Sequence, residues 1–186
     1  MTNHVKEHDD LRRTAAVAAD YTQLQGLINV TTGAGLILWA LGWPSWGAWV
    51  TGIGGAVLVA YYRRHFGRAV GRTTLLPTLG AVGAAFVCCA AGYVIDSHAW
   101  VPVLTLPLLA AACFVVGYRI GYRHVGVTSA HWVAVALLVL SSVAPLLGLA
   151  APGPRVGLLA LGVAMVIVGV VDHLRLVATM KPVPRD

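Results

Sequence analysis

Residues 155–177 read RVGLLALGVAMVIVGVVDHLRLV, and no charge interrupts the apolar run between Arg155 and Asp172. About 20 predominantly apolar residues wound as an α-helix cross a hydrocarbon core of ~30 Å. Polar and apolar residues do not alternate, which excludes the period-2 pattern of a membrane β-barrel strand. The same signature recurs upstream over approximately 26–43, 45–62, 74–95, 99–118 and 128–150. These runs predict an all-α integral membrane protein: a bundle of six transmembrane helices built from three helical hairpins.

Composition agrees. Of 186 residues, 58% are hydrophobic and 11% charged, and the mean hydropathy is +0.78. A soluble domain needs more polar surface, whereas lipid-facing helices remove that need. The expected organisation is a cytoplasmic amphipathic arm over 1–25, a transmembrane domain over 26–177 and a short cytoplasmic tail over 178–186. Within the arm, residues 9–25 read as an amphipathic helix that Asp10 can cap, with Leu11, Ala15, Ala18, Ala19 and Leu24 apolar. Charges throughout the first 20 residues argue against a cleaved leader. The chain resembles small Gly-, Ala- and Val-rich bacterial polytopic proteins in composition, which implies a bacterial inner membrane.

Orientation follows from the cations. Lys6, Arg12 and Arg13 precede the first run. Arg63, Arg64, Arg68 and Arg72 lie between the second and third, and Arg119 and Arg123 between the fourth and fifth. Arg175, Lys181 and Arg185 close the chain. Twelve of the thirteen Lys and Arg residues thus fall on one side of a six-span arrangement, with Arg155 alone on the other. Cationic loops stay cytoplasmic during insertion, so both termini are expected inside. The net charge of +6 therefore reads as membrane orientation and contact with anionic lipid headgroups, with no direct nucleic-acid partner. Trp43, Trp46 and Trp100 fall at expected outer ends and Trp132 near an inner one, where indole rings favour the headgroup region. Trp39 and Trp49 lie deeper.

The hairpins echo one another. The first ends Tyr62-Arg63-Arg64-His65-Phe66-Gly67, the second Tyr122-Arg123-His124-Val125-Gly126, and the third, more weakly, Asp172-His173-Leu174-Arg175. An internal repeat would produce this, with an approximately threefold bundle as its consequence; a shared preference of Tyr, Arg and His for the interface would produce it as well. Small residues mark close helix approaches: Gly52, Gly55 and Ala56; Gly80, Gly83 and Ala84; Gly157, Ala160 and Ala164. They read as packing within the monomer, or as the seam of a homo-oligomer. Pro77, Pro102, Pro107 and Pro145 are candidate kinks.

No Asp, Glu, Lys or Arg lies at the middle of a predicted span, which weakens an ion-coupled pump. The nearest polar cluster is His131, Asp172, His173 and Arg175 at the inner end, with Asp172 and Arg175 spaced to pair on one helical face. Asp96 and His98 read as a surface turn and are too few for a zinc site. Cys88, Cys89 and Cys113 read as small core residues, without metal or redox use. The sequence holds no HExxH, GxSxG or Walker pattern, so neither a catalytic residue nor a cofactor is nominated.

A basic, aromatic inner face is the strongest positive feature: Tyr62, Arg63, Arg64, His65, Arg68, Arg119, Tyr122, Arg123 and His124. Such a face binds anionic lipid or docks a cytoplasmic protein partner. The leading functional expectation is a regulatory or accessory subunit working through that face. The alternative is a transporter or binding bundle for an apolar or lipid-like molecule, and the third is a lipid-modifying membrane enzyme using Asp172, His173 and His131.

Overall fold

The computed structural model describes residues 24–66, 75–98 and 102–179. Among them the chain is entirely helical, with α1 Gly26–Ala40, α2 Pro44–Phe66, α3 Leu75–Ser97, α4 Thr105–Gly121, α5 Ser129–Val143 and α6 Pro154–Thr179. Local chemistry sets the ends. Gly42 adopts φ +95°, and the bonds Gly42 N–H to Trp39 O (3.0 Å) and Trp43 N–H to Leu38 O (2.9 Å) close α1 in a Schellman motif. Pro44 and Pro154 then open α2 and α6 at the first helical position, where a missing N–H costs nothing.

The same rule corrects the expected kinks. Pro77 and Pro107 sit in the first turns of α3 and α4, Pro102 precedes α4, and Pro145 follows α5. The first four N–H groups of a helix have no intrahelical acceptor, so none of these prolines interrupts a ladder. The fifth apolar run is also divided: α5 stops at Val143, and a separate turn ends at Gly148, φ +68°.

Length distinguishes the helices. Two are long and apolar enough to cross a membrane: α3, through Gly80–Ser97, and the 26-residue α6. Helices α1, α4 and α5 have 15, 17 and 15 residues, so α1 and α5 are each about 22 Å long. Helix α2 has 23 residues but ends in Arg63, Arg64 and His65.

The helices alternate in direction, and α6 is the hub. Its backbone runs close to those of α1, α5, α4 and α3, whereas the backbone of α2 approaches only that of α1. Among the described residues the expected threefold arrangement is absent, because the backbones of the first two hairpins approach α6 and not each other. Glycines explain the closest approach. Gly26 and Gly33 of α1 face Gly169 and Gly162 of the antiparallel α6, each so close that an added Cβ would strike the partner's backbone carbonyl. Gly35 and Gly47 join α1 to α2 in the same way.

Of the small-residue stripes expected to pack, only Gly157, Ala160 and Ala164 are buried. Gly52, Gly55, Gly80 and Gly83 would meet nothing with an added Cβ. Spacing marks a small-residue face without saying whether a neighbour covers it. The cysteines are not fully buried: Cys88 is exposed, Cys89 is partly buried against the core and Cys113 is partly buried, all three as free thiols.

Apolar side chains cover the outside as well. Trp46, Phe86, Leu140 and Leu149 are among the most exposed residues, while Asp172, His131 and Asp96 are buried. Five of the six described arginines, Arg63, Arg64, Arg119, Arg123 and Arg175, lie at one end of the bundle with the C-termini of α2, α4 and α6. Arg155 opens α6 at the other, where Trp39 and Trp43 close α1. Below, these are the arginine end and the tryptophan end.

Candidate functional site: a buried polar knot at the arginine end

Helix α6 carries Asp172 and His173 side by side, and consecutive residues on a helix point about 100° apart. Each therefore meets a different hairpin. Asp172, fully buried, accepts a hydrogen bond from the hydroxyl of Tyr122, the residue that caps α4. His173 turns toward α2, where the Tyr62 hydroxyl stands 2.9 Å from its Nδ1. The Tyr62 oxygen also accepts the Leu27 N–H at 3.1 Å, so its own hydrogen is free to go to His173. The equivalent tyrosines of the first two hairpins thus dock on adjacent residues of the third.

His131 completes the knot from the first turn of α5 and is also fully buried. Thr128 is the N-cap of that helix. Its backbone N–H donates to His131 Nδ1 at 3.3 Å, and its Oγ1 lies 2.7 Å from the same nitrogen. A ring nitrogen that accepts an N–H carries no hydrogen, which leaves the proton on Nε2, facing α6. There Nε2 stands 3.2 Å from Asp172 Oδ1, close enough for electrostatic attraction but not aligned as a hydrogen bond.

Aromatic rings seal the assembly. Tyr118 and Tyr122 meet the His131 ring edge-on, with centroids 4.9 and 4.8 Å away. Burial, and then the Asp172 carboxylate, push the Tyr122 hydroxyl well above its usual pKa, so it stays protonated and donates. Three buried side-chain atoms among the described residues have no hydrogen-bond partner: Tyr118 Oη, His131 Nε2 and Asp172 Oδ1. All three belong to this knot. Buried polar groups are normally satisfied, so their coincidence is a local excess of unused hydrogen-bonding capacity.

Arg175 does not pair with Asp172. Its guanidinium crosses to the α4–α5 connection and donates to Val125 O (2.8 Å) and Gly126 O (3.0 Å). The carboxylate is enclosed, whereas the longer Arg175 side chain extends to the rim. Tyr62 and Tyr122 are buried rather than displayed on the face. Arg63, Arg64, Arg119, Arg123 and His124 are exposed, and His65 is partly buried, its Nδ1 3.1 Å from Tyr61 O. Arg68 and the arm before Leu24 lie outside the described residues, as do Trp100 and residues 180–186.

Sequence reasoning missed Thr128 as an anchor of His131. Its signal is the position: Thr, three residues before His, at the start of an apolar run, has the spacing of a capping box with His in place of Glu. Asp96 was also underrated. It is buried at the tryptophan end, and its two oxygens accept Thr105 N–H (2.6 Å) and Leu106 N–H (2.9 Å), so that α3 caps the N-terminus of α4. No three or more of the described His, Cys, Asp and Glu residues gather to hold a metal ion. No family model, no curated protein and no solved structure matches this chain.

Proposed function

We propose that the protein is a six-span membrane protein, with both termini cytoplasmic, that serves as a regulatory or accessory subunit through its arginine end. The carrying observation is the contrast within that end: exposed Arg63, Arg64, Arg119 and Arg123 surround a knot that is itself buried. Cations displayed on rigid helix ends suit docking of an acidic protein surface or anionic headgroups, while enclosed Asp172 and His131 are poorly placed to reach a bulky substrate. Exposed Trp46, Phe86 and Leu140 support lipid as the surrounding medium, since water would penalise so much apolar surface. Beyond the short helices, the apolar connections 41–43, 102–104 and 144–150 extend the path of each span toward the headgroups.

Two measurements test this reading. In a variant lacking the native cysteines, Arg64→Cys and Arg123→Cys should label only from the cytoplasm and Arg155→Cys only from outside. Finding positions 64 and 123 on opposite sides would overturn the topology. A photo-crosslinker at position 64 or 123 should capture one protein partner in cells, and one at position 155 should not. Recovery of lipid alone from positions 64 and 123 would overturn the regulatory role.

A further inference from the structure

A cavity of about 650 Å³ opens at the tryptophan end, a volume that holds a whole small molecule. Trp39 of α1, Tyr93 of α3 and Leu158 of α6 give it an apolar lining, to which Arg155 and Val156 add the first turn of α6. Arg155 selects the occupant. It is exposed, and among the described residues no hydrogen bond or ion pair engages its guanidinium. Its position is also electrostatically unfavourable, because a helix N-terminus carries partial positive charge that acidic side chains normally offset. The first turn of α6 has no acidic residue, and no described Asp or Glu lines the cavity. Asp96, the carboxylate buried at this end, already gives both oxygens to the N–H groups of Thr105 and Leu106. The N–H groups of Arg155 and Val156 fall where a helix offers no internal acceptor. A guanidinium, two backbone donors and the positive end of a 26-residue helix thus border one apolar cavity, without a countercharge among the described residues.

We propose that this cavity binds an anionic amphiphile, a molecule with one phosphate or carboxylate group on an apolar body. The guanidinium of Arg155 takes the anion through paired charge-assisted bonds, and the first-turn N–H groups add further donors. The apolar body lies against Trp39, Tyr93 and Leu158. Trp39 is 45% exposed, so its indole is available for that contact. The same chemistry is offered by an anionic lipid of the adjacent leaflet and by a water-borne organic acid. The site stands at the opposite end from Arg64 and Arg123 and does not rest on the regulatory reading.

The test uses 6-fluoro-2-naphthoate as the probe and fluorine NMR of the full-length protein in an uncharged detergent. The expected result is saturable line broadening with the wild type, weakened roughly tenfold or more by Arg155→Gln, the effect of losing a charge-assisted contact. Arg155→Lys should restore part of the affinity, since it keeps the charge but not the fork. The uncharged 6-fluoro-2-naphthamide should bind roughly tenfold more weakly than the acid, and Trp39→Leu should weaken the acid roughly three- to tenfold. Displacement of the probe by phosphatidylglycerol but not by phosphatidylcholine assigns the site to a lipid, and displacement by neither assigns it to a water-borne acid. Unchanged helical circular dichroism and elution show that each variant is folded, and the exposed Arg155 keeps the test valid should Trp39→Leu not fold. Equal binding by wild type and Arg155→Gln would mean partition into detergent and overturn the proposal. Non-saturable broadening, equal affinity for the amide or equal displacement by the two lipids would overturn it as well.

Discussion

At the arginine end, Asp172, His131, Tyr122, Thr128, Tyr62 and His173 interlock side chain to side chain, drawing α2, α4, α5 and α6 together. At the tryptophan end, by contrast, backbone turns do most of the closing: the Schellman turn at Gly42, the turn ending at Gly148, and a bond from Leu104 N–H to Ser142 O at 2.8 Å. Asp96 is the one carboxylate buried there, and it satisfies backbone donors rather than side chains. The tryptophan end also stays open. A vestibule of about 650 Å³ lies beside Trp39, Tyr93 and Arg155, with the Trp39 and Tyr93 rings 6.1 Å apart. Backbone closure fixes a turn locally, whereas a side-chain knot couples distant hairpins, so a disturbance at Asp172 reaches more of the molecule than one at Asp96.

That contrast can be broken from the arginine end first. Asp172→Ala leaves the Tyr122 hydroxyl buried without its acceptor and removes the carboxylate that faces His131 Nε2, and should cost about 3 kcal/mol of unfolding stability in detergent. A loss under ~1 kcal/mol would mean that relief of the buried charge outweighs the broken bonds, and the knot would not be what joins the hairpins. Asp96→Ala removes two charge-assisted bonds and a favourable helix-dipole contact, and should cost ~1.5–2 kcal/mol. Protease sensitivity should then increase near residue 105 but not near residue 128. Equal losses for the two carboxylates would erase the distinction between the ends.

Tyr122→Phe should have the smallest effect, ~1 kcal/mol, and should sharpen the comparison through pH. The folded Tyr122 pKa is raised, so its contribution is fully present below about pH 10, the unfolded phenol value. It is lost as pH climbs toward the elevated folded value. Unfolding curves at pH 8 and pH 11 should therefore converge for wild type and Tyr122→Phe at the higher pH. A constant difference would remove Tyr122 from the linkage.

Much of the helical plan was legible in advance because apolar runs and backbone punctuation are local properties of the chain. Each apolar run contains one described helix, and Pro44, Gly42, Gly153 and Pro154 punctuate the chain through backbone geometry that needs no tertiary partner. The knot was only partly legible. His131, Asp172 and His173 stood out as polar residues in apolar surroundings, but the nearest candidate partner for Asp172 in sequence was Arg175, three residues away. Tyr122, fifty residues earlier, takes that place because α4 ends beside α6, an arrangement that helical periodicity does not encode.

By itself, then, the chain determined the all-helical character of the described residues, where most of their helices begin and end (the start of α4 and the end of α5 excepted), and the gathering of its arginines. These depend on local apolarity, caps and charge, which are properties of short segments. Tertiary structure alone decided that α6 is the hub, that Gly26 and Gly33 rather than Gly52 and Gly80 bring helices together, and that two tyrosines converge on neighbouring residues. Those outcomes depend on which faces meet, and a helix with apolar residues on every side carries no amphipathic stripe to announce its neighbours.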